Sequence, residues 1–326
     1  MSIYLGLLEF GHRLSKYPVM ASLSHRQGWS FAVLLLIFPC VFFASTNNDS
    51  PDVTYRTGTS EVRLTFFATD SNNRLVKTID QNDFAIVDSE MVIRDFRSLK
   101  KSDETPLDIV LLIDASESVR PRFRATKEEA LRLVSQNSEA SGNKISIITF
   151  AASKPAVLCV DDCGNSNTEQ KLSTLNPAGP TPLFDSLAFA ASFLANRHTA
   201  GVRQLLIVFS DGDDTMSAST PRDALQALAA TGAVLYSVNV RSSKLSSGGE
   251  YWLQQMAEAT GGRSFSMQDG EDNLLQAVLE DLRASYVVTY SLPTRMAGFH
   301  SLRILPKHNL NLEFHCRRGY FYEENQ

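Results

Sequence analysis

Five oxygen-bearing side chains in three short stretches have the types and spacing to do chemistry. The first stretch is Asp114-Ala115-Ser116-Glu117-Ser118. In an extended turn residues two apart project the same way, so Asp114, Ser116 and Ser118 can converge with one carboxylate and two hydroxyls. The second, residues 176–183 (NPAGPTPL), presents Thr181 just ahead of a helical pattern, and the third, Ser210-Asp211-Gly212, closes an apolar run. Hard oxygen donors suit a small oxygen-seeking cation, Mg²⁺ first and Mn²⁺ or Ca²⁺ as substitutes, with roughly six ligands including water. Because only Asp114 and Asp211 are carboxylates, their charges at most balance a bound divalent cation, and five side chains leave it an open position. The structural alternative is that Asp114, Ser116 and Thr181 are only helix caps and turn formers.

The elements around these residues fit a ligand site. Continuous apolar runs at 109–113, 145–148, 205–209 and 233–240 read as strands buried on both faces, in the middle of a largely parallel sheet. Between them lie helical stripes: Leu183, Leu187, Ala190, Ala191 and Leu194 form one, and Leu274, Leu275, Val278 and Leu282 another, on a last helix over 271–284. Thr220-Pro221 with Asp223 marks a helix start by N-cap, N-terminal proline and third-position acid. The expected fold is α/β, a doubly wound, mostly parallel sheet of Rossmann-like type over residues 107–284. Open sheets of this kind bind ligands at the carboxyl ends of their strands, where Asp114 and Asp211 stand.

Both flanks change period. From 61 to 70 apolar residues alternate (Val62, Leu64, Phe66, Ala68) and end in Asp70-Ser71-Asn72-Asn73, a half-buried strand entering a hairpin. Short strands follow at 75–76, 84–87 and 91–96, giving a small antiparallel β unit over 53–100, with 100–106 (KKSDETP) as a polar linker. Alternation returns in Tyr286, Val288 and Tyr290 and in Leu310, Leu312 and Phe314, so C-terminal strands over 285–322 are expected to pack beside the first unit.

Residues 29–44 (WSFAVLLLIFPCVFFA) carry no charge, follow Arg13, Lys16 and Arg26, and precede small polar residues. That layout makes 1–44 a secretory signal or an N-terminal membrane anchor, with Met20 as an alternative start. Phe42 weakens the cleavage site before Ser45, so both readings stay open. The remainder is expected to be exported: periplasmic, at the cell surface or secreted, with any membrane contact through an uncleaved N-terminal segment. Four cysteines are too few for a disulfide scaffold. Cys159 and Cys163 (CVDDC) can form a local disulfide in an exported chain or stay two free thiols, and are expected near the carboxyl edge of the sheet; Cys316 is left as a buried thiol.

A net charge of −5 over 326 residues offers no basic footprint for a phosphate backbone, which removes nucleic acid as a partner. Asp213 and Asp214 read as a solvated acidic loop. His198, His300, His308 and His315 lack ligand spacing. G-x-S-x-G, H-E-x-x-H and G-x-x-x-x-G-K-[ST] are absent from the sequence, so no enzyme is expected. A remote hydrolase reading uses Asp114 as nucleophile, but Ser116 stands where a D-x-D phosphatase has its general acid.

The strand, the D-x-S-x-S spacing, the Thr before a helix and the strand-terminal S-D-G together resemble the von Willebrand factor A domain family and its metal-ion-dependent adhesion site. The flanking Asp83-Phe84, Tyr286-Val287-Val288-Thr289-Tyr290 and Arg318-Gly319-Tyr320 resemble the bacterial members best known from Acidobacteria, over about residues 53–322. The resemblance implies that Ser116 and Ser118 ligate the metal directly, Thr181 and Asp211 directly or through water, and Asp114 mainly through other groups. It implies a binding module that takes an Asp or Glu of a protein partner into the open metal position. The runner-up is a structural or assembly subunit of a cell-envelope complex. Two departures stand out: Glu117 replaces a frequent glycine, and no hairpin glycine accompanies Asn73.

Overall fold

The computed structural model of the chain describes residues 61–102, 106–138, 142–152, 154–199, 201–241, 248–267 and 274–322. The apolar segment 29–44 and residues 271–273 of the expected last helix lie outside the described residues. In chain order the strands and helices are β1 (Glu61–Thr69), β2 (Phe84–Asp88), β3 (Met91–Ile93), β4 (Ser98–Lys101), β5 (Leu107–Asp114), α1 (Phe123–Ser138), β6 (Lys144–Phe150), β7 (Ala156–Cys159), α2 (Ser166–Thr174), α3 (Leu183–Ala195) and β8 (Arg203–Ser210). They continue with α4 (Pro221–Thr231), β9 (Val234–Asn239), α5 (Gly248–Thr260), β10 (Ser264–Ser266), α6 (Leu274–Arg283), β11 (Tyr286–Ser291), β12 (Gly298–Pro306), β13 (Glu313–Cys316) and β14 (Gly319–Tyr322).

The four apolar runs become neighbours in one six-stranded sheet of order β10-β9-β8-β5-β6-β7, parallel except for the antiparallel edge β7. All eight residues of β5 are buried because helices cover both faces. On one face Ile109, Leu111 and Ile113 pack with Leu133 and Val134 of α1 and Val278 and Leu282 of α6. On the other, Val110 and Leu112 meet Leu187 and Leu194 of α3, Leu228 of α4 and Met256 of α5. Helix α4 starts as expected, with Thr220 and Asp223 forming a reciprocal capping box and Pro221 at its first position.

The flanking strands form two antiparallel sheets, β13-β1-β11-β4 and β14-β12-β2-β3, packed over one core that includes Leu64, Phe66, Phe84, Ile86, Tyr290 and Leu302. Chain segments on both sides of the α/β domain therefore build a single sandwich. Asp88 of β2 ties its sheets together, accepting hydrogen bonds from Tyr290 (2.8 Å, β11) and Tyr320 (2.9 Å, β14). Burial, with the Asp88 charge beside them, pushes both phenols upward.

Several local expectations change. Lys100 and Lys101 are not linker but strand, because β4 pairs with β11, a partner nearly two hundred positions away. Leu310 is 78% exposed and Leu312 precedes β13, since Asn309 folds this stretch into a turn by accepting from Asn311 N–H (3.1 Å) and Leu312 N–H (3.2 Å). The hairpin after β1 needs no glycine: Asn73 takes the left-handed conformation itself (φ 60°), and Asp70 accepts from the backbone of Asn72 and Arg74. Cys159 and Cys163 are disulfide-bonded, with Cα atoms 5.6 Å apart. The bridge lies at the amino-terminal end of β6, beside Ile145, and not near the carboxyl edge, because β7 runs back antiparallel along β6. Cys316 is a buried free thiol in β13, raised by burial to about 12.

His315 stacks on Phe67 (4.6 Å) and bonds Thr69 Oγ1 (3.0 Å), and burial, then the nearby Arg263 charge, lower its pKa from 6.5 to about 4. The folded chain thus refuses a proton that the unfolded chain accepts below 6.5. Stability should fall as pH drops from about 6.5 to about 4, by on the order of 2–3 kcal/mol. Urea titrations across this range should show the loss in the native chain and a flatter profile in His315→Gln; equal slopes would contradict the assignment.

Candidate functional site

Strand β5 delivers Asp114 to the carboxyl edge and the chain then turns sharply. Ala115 N–H donates to Phe150 O at the end of β6 (2.8 Å), and Ser116 N–H donates to Asp114 Oδ1 (2.9 Å). This turn brings Ser116 Oγ within 3.1 Å of Ser118 Oγ. From the adjacent strand β8, Ser210 Oγ donates to Asp114 Oδ2 at 2.7 Å, and Ser210 Oγ also accepts from Gly212 N–H (3.1 Å). Asp211 orients its own loop by accepting from Asp213 N–H (3.2 Å).

The second stretch is laced to the first. Ala178 N–H donates to Ala115 O, Glu117 N–H to Gly179 O and Ala152 N–H to Pro180 O, all within 3.0 Å. Thr181 is then tied to the third stretch by exchange with Thr215: Thr181 N–H donates to Thr215 Oγ1 (2.7 Å) and Thr215 N–H to Thr181 O (2.9 Å). All five candidate residues therefore stand on three interlocked loops at one edge of the sheet. Asp114, Ser116 and Ser118 share hydrogen bonds and Asp211 lies close enough to act on Asp114, while Thr181 is joined through its backbone.

Exposure separates floor from rim. Asp114 (1%), Ser116 (0%), Thr181 (2%) and Asp211 (5%) are buried, whereas Ser118 is exposed. Burial raises the Asp114 carboxyl to about 6; hydrogen bonds from Ser116 and Ser210 oppose this and the Asp211 charge adds to it. Its hydrogen-bond donors are hydroxyls and an amide, and among the described residues no basic side chain forms an ion pair with it; Arg241 stands nearby, on Asp213 and the Asp211 carbonyl. That donor set fits a hard divalent cation, which would neutralise the two acids and use the hydroxyl oxygens. Among the described residues no three His, Cys, Asp or Glu side chains gather, so such an ion must depend on the serines and the threonine. Glu117 points outward and pairs with Arg120, which holds its carboxyl below the usual range.

Three supporting groups escaped sequence reasoning. Ser210 was visible only as the first residue of S-D-G, with nothing to mark it as the hydroxyl that bonds Asp114. Asp214 is not a solvated loop acid: its Oδ1 accepts from Leu183 N–H (2.8 Å), and its carboxylate also binds Ser217. Helix α3 begins at Pro182, which supplies no side-chain cap, so an acid from the next loop does the capping. Asp185 returns the contact by accepting from Ala218 N–H (2.9 Å) and Ser219 N–H (2.8 Å). Asp213 pairs with Arg241 instead. Gly249, at the start of α5, is the third: a Cβ there would lie 1.9 Å from Gly212 O, so only glycine lets α5 back the Asp211 loop.

Asp214→Ala should cost about 1–2 kcal/mol, since it uncaps α3 and frees the loop that carries Thr181. Asp213→Ala, losing a half-exposed ion pair, should cost less than about 1 kcal/mol. Chemical denaturation of the two variants measures the difference, and equal losses would contradict the capping role.

A comparison with protein-family models matches the von Willebrand factor type A domain over residues 108–281. Among solved structures, the chain is similar to an aerotolerance-related membrane protein from Bacteroides fragilis (16% identity, 54% of this chain and 98% of that one, TM-score 0.41). It is also similar to BatB from Bacteroides thetaiotaomicron (17%, 54% and 97%, 0.43) and to three N-terminal domains of the type V pili tip protein Mfa5 from Porphyromonas gingivalis (13%, 50% and 47%, 0.38). A search of curated proteins finds no match. The family model spans more than half of the sequence, over the segment that carries the interlocked loops: the chain belongs to the von Willebrand factor type A domain family.

Proposed function

We propose that this chain is an exported binding module that captures an acidic residue of a protein partner through a divalent cation held by Asp114, Ser116, Ser118, Thr181 and Asp211. One observation carries the reading: a buried Asp114 carboxyl beside Asp211, bonded by hydroxyls and an amide and without an ion-pair partner among the described residues. A bound cation would supply a positive position able to accept a further carboxylate oxygen. The protein's own part is to hold that position rigid. Ser210 and the Ser116 amide fix Asp114, the lacing to 178–180 fixes the serine turn, and exposed Ser118 leaves the rim open to a partner.

The same geometry supports binding over catalysis. A carboxyl that is 1% exposed lies below the surface that a substrate would reach, whereas a small cation can still use its remaining lone pairs. Export is supported by the Cys159–Cys163 disulfide, a feature of oxidising compartments, together with the apolar segment at 29–44. Among the described residues no helix is long and apolar enough to cross a membrane.

Isothermal titration of Mg²⁺ and Mn²⁺ into the full chain should show one saturable site that Ser116→Ala loses. Because the cation needs ionised Asp114, affinity should be flat above about pH 7 and fall about tenfold per pH unit below about 6. Partner capture from the native source should vanish in chelator. Capture unaffected by chelator and by Ser116→Ala would instead favour the assembly-subunit reading.

A further inference from the structure

A basic groove lies on the sandwich. The outer face of the β1-β11-β4 sheet is hollowed into a groove of about 430 Å³. Its floor is Val287 and Thr289 of β11, and its sides carry Arg63 from β1 and Lys100 from β4, while Lys101, in register with buried Tyr286, borders it from the opposite side of the strand. One end is walled by Arg97, which pairs with Glu61 and donates from Nε to Ser291 Oγ at 3.2 Å. Glu61 is thus neutralised within the wall. Arg63, Lys100 and Lys101 make no ion pair among the described residues and all three are exposed.

Two unpaired cations on one face of a concavity, Arg63 and Lys100, in a chain of net charge −5, call for an explanation. Lysines on β4 alone would be the ordinary protection of an exposed sheet edge. That does not account for Arg63. It stands on β1, an inner strand two places from β4, and in register with Thr289 and Ser98 it opens onto the same hollow. Strands lie about 4.8 Å apart, so Arg63 and Lys100 stand on the same face across roughly 10 Å. One carboxylate would be satisfied by Arg63 alone, whereas a group with several anionic oxygens can engage both sides at once, with the Ser98 and Thr289 hydroxyls beside them.

We propose that this groove binds phosphate oxyanions, and that their source is the anionic headgroups of a lipid surface. The groove opens at Glu61, 17 residues past the apolar segment 29–44. An extended tether of that length spans at most roughly 60 Å, so a chain retained by that segment would keep the groove within reach of the bilayer. Arg63 and Lys100 are then a headgroup clamp, independent of the cation site on the α/β domain.

The test is co-sedimentation of the full chain with phosphatidylcholine vesicles, with and without phosphatidylglycerol, beside titration with inorganic tripolyphosphate. Phosphatidylcholine alone reports any insertion of the apolar segment, so the increment caused by phosphatidylglycerol is the signal. Arg63→Ala/Lys100→Ala should lower that increment roughly 10- to 30-fold, and rising salt should erase it. Arg303→Ala/Lys307→Ala, which removes the same charge from the other sheet, should not, and Arg63→Lys/Lys100→Arg should restore binding. Tripolyphosphate binding lost in the alanine pair, without a vesicle increment, would keep the oxyanion site and overturn its lipid source. An increment equal in both alanine pairs, or no binding to either probe, would overturn the site.

Discussion

Two buried acids beside each other at the end of the central strands, the inner one without an ion-pair partner among the described residues, are the constraint around which the α/β domain is organised. Asp114 is ionised only at a cost, because burial and Asp211 both oppose its charge. The surrounding chain concentrates dipoles on it: the Ser210 hydroxyl, the Ser116 amide and the Ser116 hydroxyl. Those donors can bond to the carboxylate but cannot cancel its charge. The interlocking of 115–117 with 178–180, the Thr181–Thr215 exchange and the Asp214 cap of α3 all keep the loops from relaxing outward to water.

The sandwich is joined to this domain by packing and by one well-connected arginine. Arg263, just before β10, makes a two-pronged ion pair with fully buried Asp281 of α6, donates to Asn73 Oδ1 (2.9 Å) in the β1 hairpin, and stacks over Phe67 and Phe265. A single guanidinium thus links the last helix, the edge of the parallel sheet and the first hairpin. At a second junction, left-handed Gly261 closes α5 against the backbone of Cys316 and Arg317, and Arg318 binds Ala259 O and Glu258. Because α6 runs almost directly into β11, which lies between β1 and β4, displacement of that helix would have to carry the sandwich with it.

The core of this architecture was legible because burial on both faces leaves an unmistakable record: 109–113, 145–148, 205–209 and 233–240 are continuous apolar runs, and Leu183 to Leu194 repeats at helical spacing. The five candidate residues could be picked out because oxygen-bearing side chains gather at strand ends, and the structure stands them on three interlocked loops. What stayed hidden depends on partners far away in sequence. Lys100 and Lys101 look like linker until β11 pairs with them, and Asp214 looks like solvated charge until the uncapped start of α3 is placed above it. The disulfide was set at the wrong end of the sheet because nothing local in CVDDC tells that β7 runs backward. Leu310 and Leu312 imitate a strand, but Asn309 bends them into a turn.

On the proposed reading Asp114 is a charge awaiting a cation, which thermal unfolding of the native chain and of Asp114→Asn, each in chelator and in Mg²⁺, would reveal. In chelator the neutral, same-shaped asparagine should melt at or above the native chain, because it removes an uncompensated buried charge. In Mg²⁺ the order should invert, with the native chain rising by mass action and the variant unmoved. Melting temperatures indifferent to Mg²⁺ in both proteins, with Asp114→Asn the less stable throughout, would mean that the carboxylate is a structural cap and the account of the site is wrong.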